Sequence, residues 1–163
     1  MAADFEADLL ARLPVLRRFA LSLCRNPDTA DDLVQITVEK AILGRAGFDP
    51  ATRLDAWLFR ILRNAWIDMT RRHRTRGTEI DVGDIPEVAT VDGRRLTEAR
   101  LMLDAAARAL ESLPVEQREV LILVCYEELS YAEAAQVLGI PVGTVMSRLS
   151  RGRIALAEKL GMP

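Results

Sequence analysis

The chain has 163 residues, half of them apolar, with 5% aromatics and a formal net charge of −2. That length allows one medium domain or two small ones, and the apolar share suffices for packed cores. No run is long enough to span a membrane, and the opening MAADFEADLL is acidic where a signal peptide is basic. No membrane insertion is expected, and the expected location is the cytoplasm.

Asp4 to Arg25 has helical periodicity, with Leu9, Leu10, Leu13, Leu16, Phe19, Ala20 and Leu23 as its apolar face. Pro14 has no N–H to donate and predicts a break or kink. Asn26-Pro27 restarts the chain, a favoured cap residue followed by proline at the first helical position. The next helix, to about Leu43, turns Leu33, Val34, Val38, Ala41 and Ile42 inward. Its polar side gathers Asp28, Asp31, Asp32, Gln35 and Glu39 at steps of three and four. Acids near a helix N-terminus are favourable on an ordinary solvated face. Such a concentration of carboxylates is also a docking surface for a basic partner helix.

Gly44 to Thr52 reads as a loop, with Thr52 capping the longest helix, Leu54 to about Arg74. Trp57, Leu58, Ile61, Leu62, Ala65 and Met69 have core spacing. Arg60, Asn64, Asp68 and Arg71 share another face, where Asn and Asp can hydrogen-bond base edges while Arg side chains hold phosphates. The net charge hides a segregated distribution. Residues 60–76 hold Arg60, Arg63, Arg71, Arg72, Arg74 and Arg76 against Asp68, and residues 145–163 hold Arg148, Arg151, Arg153 and Lys159 against Glu158. Two basic patches separated by acidic surface suggest two nucleic-acid contacts. His73 has no partner at metal-ligand spacing, so neither a metal nor a cofactor is expected. Cys24 and Cys125 sit in apolar stretches far apart and are expected to be small core residues.

Residues 77–94 are rich in Gly, Pro, Thr and acids, with no apolar period, and read as a flexible acidic linker. They divide the chain into 1–76, a linker and 95–163. Leu96, Ala99, Leu103, Ala106, Leu110 and Leu113 then step like a heptad seam. Pro114 starts a helix whose centre, Val120 to Val124, is apolar all round. A run that short could be a strand, but the Pro-plus-acid entry favours helix.

Leu129 to Arg153 reads as a helix-turn-helix. Ser130 and Glu133 form a capping-box pattern, Gly139 allows a left-handed stop, and Pro141 permits a new start. On the second helix Val142, Val145, Leu149, Leu156 and Leu160 make an apolar stripe, and Arg153 falls beside it. Thr144, Ser147, Arg148 and Arg151 lie on the other face. Donors with few carboxylates nearby, on a propped helix, suit a major-groove reader. The plain alternative is a helical hairpin with solvated Arg side chains.

The expected fold is all-α: two small helical domains joined by the acidic linker, the second ending in the helix-turn-helix. Four stretches, ADDLVQITVEKA, AWLFRILRNAWIDMTRR, LPVEQREVLILV and LSYAEAAQVLGIPVGTVMSRLSRGR, together resemble bacterial RNA polymerase sigma factors of the extracytoplasmic-function type, group IV of the sigma-70 family. They stand in that family's order and spacing across most of residues 10–160. The resemblance implies that 1–76 is a region 2-like domain and 95–163 a region 4-like domain. It implies that Asp31, Asp32, Gln35 and Glu39 bind the β′ coiled coil of core RNA polymerase. Asn64, Asp68, Arg71 and Arg72 would engage the melted minus-ten element, with Gly44–Asp55 as the loop taking a flipped base. The helix-turn-helix, through Thr144, Ser147, Arg148 and Arg151, would read the minus-thirty-five element and sit on the β flap. The linker would thread the polymerase cleft, and regulation would come from a separate anti-sigma protein, since no further C-terminal module follows Pro163. Met146 stands where the family often has a basic residue, and Gly152 is expected to interrupt the recognition helix at about 1 kcal/mol relative to Ala. The rival readings are a stand-alone duplex-DNA regulator, a protein-binding adaptor and an enzyme. No GxSxG, Gly-rich phosphate loop or HExxH supports the last, so no enzymatic activity is expected.

Overall fold

The computed structural model describes residues 2–77 and 98–163, and the chain divides into two compact units. The expected linker, Gly77 apart, lies outside the described residues, as does Leu96 of the expected seam. Among the described residues every regular element is helical.

The first unit holds α1 (Ala2–Ala11), α2 (Leu13–Cys24), α3 (Pro27–Leu43) and α4 (Leu54–Thr75). The chain breaks at Arg12, which leaves Pro14 in the first turn of α2, where a missing N–H costs nothing. Arg25 ends α2 in the left-handed region at φ 56°. Asn26 then caps α3, its side-chain oxygen accepting the N–H groups of Asp28 at 3.0 Å and Thr29 at 3.1 Å. Helices α2, α3 and α4 pack pairwise around Leu16, Phe19, Leu33, Leu58, Phe59 and Leu62, all essentially without solvent exposure. Burying each such side chain contributes about 1.5–3 kcal/mol. The rings of Phe19 and Phe59 meet at 4.9 Å between centroids.

Two sequence expectations shift in this unit. Leu10 and Ile42 point outward, 63% and 48% exposed, and Ala30 and Thr37 join Leu33 and Ala41 on the inner face of α3. The buried Thr37 hydroxyl satisfies itself by donating to the Leu33 carbonyl at 2.7 Å. Thr52 does not cap α4: Arg53 occupies the cap position without a side-chain cap bond. Thr52 instead donates back to the Asp49 carbonyl at 2.7 Å, while the Asp49 carboxylate accepts the Ala51 N–H at 2.9 Å. The loop spends its polar side chains on its own turn.

From Glu98 onward the chain forms α5 (Glu98–Glu111), α6 (Val115–Leu121), a π-helical turn (Ile122–Tyr126), α7 (Tyr131–Leu138) and α8 (Val142–Lys159), of which α5, α6 and α8 lie in the second unit. The apolar run at 120–124 is helical, as its entry predicts. Its last turn widens: the Glu127 N–H reaches the Ile122 carbonyl five residues back, at 2.8 Å. That extra residue rotates the next side chains around the axis, so Cys125 faces solvent rather than the core. Cys24 is buried as expected, and burial pushes its thiol pKa up. The expected seam along α5 closes only at one end. Leu113 is buried and Ala106 and Leu110 are half-buried, whereas Leu103 is 70% exposed; Ala109, outside the expected seam, is buried instead.

Gly152 corrects the reading of α8. The helix runs unbroken through it, and the residue is buried. An added Cβ would lie 3.0 Å from Leu121 Cδ1 and 3.4 Å from Gln117 Cβ. Its bare backbone is what lets α6 and α8 approach, alongside the buried Val120, Leu123, Val145 and Leu149. Val142, expected in the stripe, is exposed, and Leu156 and Leu160 are half-buried.

Candidate nucleic-acid and polymerase interfaces

The long helix α4 presents its polar residues as one solvent-facing strip. Asn64, Asp68, Arg71 and Arg72 are all exposed, while Leu58, Leu62 and Ala65 hold the opposite side in the core. At about 100° per residue, Asn64, Asp68 and Arg71 fall within about 60° of arc, with Arg72 beside them. Basic residues in the last turn also suit the negative end of the helix dipole. The strip therefore offers acceptors and amide donors in its middle and guanidinium groups at its end.

On α3 the exposed side carries Asp31, Asp32, Gln35 and Glu39. Three of the four already have partners. Asp31 accepts from Arg17 Nε of α2 at 2.8 Å, and Gln35 donates to Glu39 at 3.3 Å. The Arg17 bridge is solvent-exposed, so it contributes under about 1 kcal/mol and leaves the face acidic.

The helix-turn-helix is built as its local signals dictate. Ser130 and Glu133 cap reciprocally, each backbone N–H donating to the other's side chain at 3.0 Å. Gly139 adopts φ +65° at the end of α7, and Pro141 precedes the first residue of α8. Val145 and Leu149 are buried, which turns Thr144, Ser147, Arg148 and Arg151 away from the core. Arg151 is exposed, and the other three are half-buried. The first acid on α8 is Glu158, near its far end. Met146 is 52% exposed but lies about 200° around the helix from Thr144. Arg153 shares that flank and donates to Cys125 Sγ at 3.8 Å.

Sequence reasoning passed over how the loop between α3 and α4 is held. A short 3-10 turn (Arg45–Gly47) opens it. The Phe48 ring then lies 5.0 Å from Trp57 of α4 and 6.3 Å from Phe5 of α1, centroid to centroid. Arg12, at the α1–α2 break, pairs with Asp55 in the first turn of α4 and donates to the Asp8 carbonyl at 2.9 Å. An aromatic residue inside a Gly-, Asp- and Pro-containing loop was the available signal. Among the described residues, no group of His, Cys, Asp or Glu is placed to hold a metal ion, and no helix is long and apolar enough to cross a membrane.

The described residues, helical in every regular element, bring together a cation-ended polar helix and a capped helix-turn-helix, the parts of a nucleic-acid-binding transcription protein. Comparison with known proteins gives the family. Residues 9–76 match Sigma-70 region 2 and residues 103–156 match Sigma-70 region 4. The sigma factor EcfG of Rhodopseudomonas palustris is 41% identical over 153 residues, covering 94% of this chain and 83% of that protein. SigM of Mycobacterium tuberculosis is 36% identical, covering 90% and 71%. Among solved structures, the sigma factor RpoE of Bartonella quintana, crystallised with the anti-sigma factor NepR, superposes with a TM-score of 0.77 at 38% identity over 97% of both chains. CnrH, solved with the cytosolic domain of CnrY, gives 0.65 at 33% identity, covering 95% of this chain and 86% of that one. The chain belongs to the extracytoplasmic-function sigma factors of RNA polymerase, and its function is to direct polymerase to promoters. The stand-alone regulator is not favoured, because the similarity runs through both units.

Proposed function

We propose that residues 1–76 form the domain that anchors on core polymerase and grips the minus-ten element, that 77–94 link, and that 95–163 read the minus-thirty-five element. One observation carries this reading: the first unit displays an acidic face on α3 and a cation-ended polar strip on α4. The acidic face, Asp31, Asp32, Gln35 and Glu39, suits a basic helical partner, the β′ coiled coil. The strip of Asn64, Asp68, Arg71 and Arg72 suits opened DNA, whose unstacked bases expose edges beside a charged backbone. In the second unit Thr144, Ser147, Arg148 and Arg151 address duplex bases and phosphates, with the β flap as support. The protein works in the cytoplasm, where polymerase is, and contributes placement rather than a chemical step of its own. An anti-sigma protein is a further proposed partner, supported by the similar RpoE and CnrH proteins, each solved with a bound protein.

The test compares promoter affinity of the free chain and of reconstituted holoenzyme at a single salt concentration. Two basic faces on separate units gain avidity only when polymerase fixes their spacing, so holoenzyme binds far more tightly. Equal affinities would refute the assignment. Transcription from promoter libraries randomised in one element at a time then assigns each face to its element.

A further inference from the structure

Helix α1 packs on α2 and sends one ring to the loop that separates the acidic helix from the DNA-facing one. Among the described side chains of α1, Leu9 alone is buried, at 2% exposure. The helix's one aromatic ring, Phe5, is half-buried and reaches outward to Phe48 at 6.3 Å and to Trp57 at 6.3 Å. Phe48 is the single large apolar side chain between Gly44 and Arg53. Its ring attaches the loop to the fold, whereas the Asp49 and Thr52 bonds close the loop on itself. At the end of the loop, Arg12 grips Asp55, and Arg53 Nη2 approaches the same carboxylate at 3.4 Å.

We infer that α1 and the chain break after it position the loop of residues 44–53: Phe5 packs against Phe48 and Trp57, and Arg12 pairs with Asp55 just beyond the loop. Together they set the shape in which the loop receives an unpaired base of the opened promoter strand. Phe5 and Arg12 are positioning residues, with no contact to DNA required. The inference rests on the reading of this loop as base-binding. A surface loop docked through an aromatic ring has a low-energy opening of its own, distinct from unfolding of the three-helix core. Ordering it beforehand removes a cost that binding would otherwise bear.

The experiment uses the full chain alone and in reconstituted holoenzyme, with Phe5→Ala, Phe5→Leu and Arg12→Gln, and Arg45→Ala with Thr52→Ala as a loop control. Amide exchange at Gly47, Phe48 and Thr52 in the free chain should speed up about tenfold in Phe5→Ala. Holoenzyme affinity for a fluorescein-labelled single-stranded minus-ten oligonucleotide should fall at least roughly fivefold. Core affinity and binding of a minus-thirty-five duplex should hold, and Phe5→Leu should recover most of the loss. Arg12→Gln should act in the same direction. Unchanged exchange, or faster exchange with full strand binding, overturns the inference. If the loop control loses strand binding and Phe5→Ala does not, the loop reads bases without help from α1, and the inference fails alone. If the loop control keeps full binding, the base-binding reading fails as well. A parallel drop in core affinity would mark general destabilisation and also overturn the proposal.

Discussion

Asn26 and Ser130 each do a job confined to one turn of helix, and each can be removed cleanly. Asn26 satisfies two N–H groups at the start of α3, so Asn26→Ala should cost about 1 kcal/mol. Denaturant melting of the chain measures that loss as a shifted midpoint with an unchanged slope. The two thiols make a second contrast at this scale. Cys24 is buried with its pKa raised by desolvation, and Cys125 is exposed. A thiol alkylating reagent acts on exposed thiolate. Native protein should therefore take one label, at Cys125, and denatured protein two; peptide mass mapping reads the difference. Labelling of Cys24 in the native state would contradict the packing at the end of α2.

Helix α8 shows why a residue's meaning changes at the scale of the element. By propensity Gly152 is a defect, and Ala would be the better residue by about 1 kcal/mol. In the fold the same position faces Leu121 and Gln117 of α6, with 3.0 Å left for a Cβ. Gly152→Leu should thus destabilise by about 1–3 kcal/mol through overpacking. Thermal unfolding followed by circular dichroism checks it, and a stability equal to wild type would mean that α6 can retreat freely. The recognition face would suffer too, because α6 is the prop that holds α8. Weaker binding of minus-thirty-five duplex than the stability loss explains is the expected companion result.

For the whole molecule, charge placement sets the partners. Reversing Asp31 and Asp32 to Lys removes the acidic start of the α3 face and gives up the Arg17–Asp31 pair. That pair is exposed and worth under about 1 kcal/mol, so the fold should survive. Assembly with core polymerase should weaken at least roughly tenfold, since like charges now face a basic partner. Fluorescence titration against core polymerase measures it; unchanged affinity would move the anchor elsewhere. Arg71→Ala with Arg72→Ala should lower open-complex formation on every promoter and flatten its salt dependence, as expected of phosphate contacts. Arg148→Ala or Arg151→Ala should relax preference at particular minus-thirty-five bases, at about 1–3 kcal/mol for a base-reading contact. A randomised-promoter transcription assay separates the two, and a reversal of these effects would exchange the roles assigned to the units.

Much of the architecture is legible in the sequence alone. Pro14, Asn26-Pro27, Ser130 with Glu133, and Gly139 act within four residues of themselves, so their outcome depends little on what packs nearby. The acidic face of α3 and the polar strip of α4 come from the helical repeat, which fixes which side chains share a side. Burial is a different matter, because it needs a partner. Leu103 and Val142 carry the right period and remain exposed. Thr37 is polar and buried, because its hydroxyl bonds within its own helix. Cys125 left the core when a π turn shifted the register, and Gly152 became a contact point when α6 met α8. The grip of Phe5 and Arg12 on the loop likewise joins residues more than forty apart. Local chemistry along the chain decided the elements and their faces. Only the tertiary structure decided which faces touch, because shape and proximity between distant segments appear in no short window of sequence.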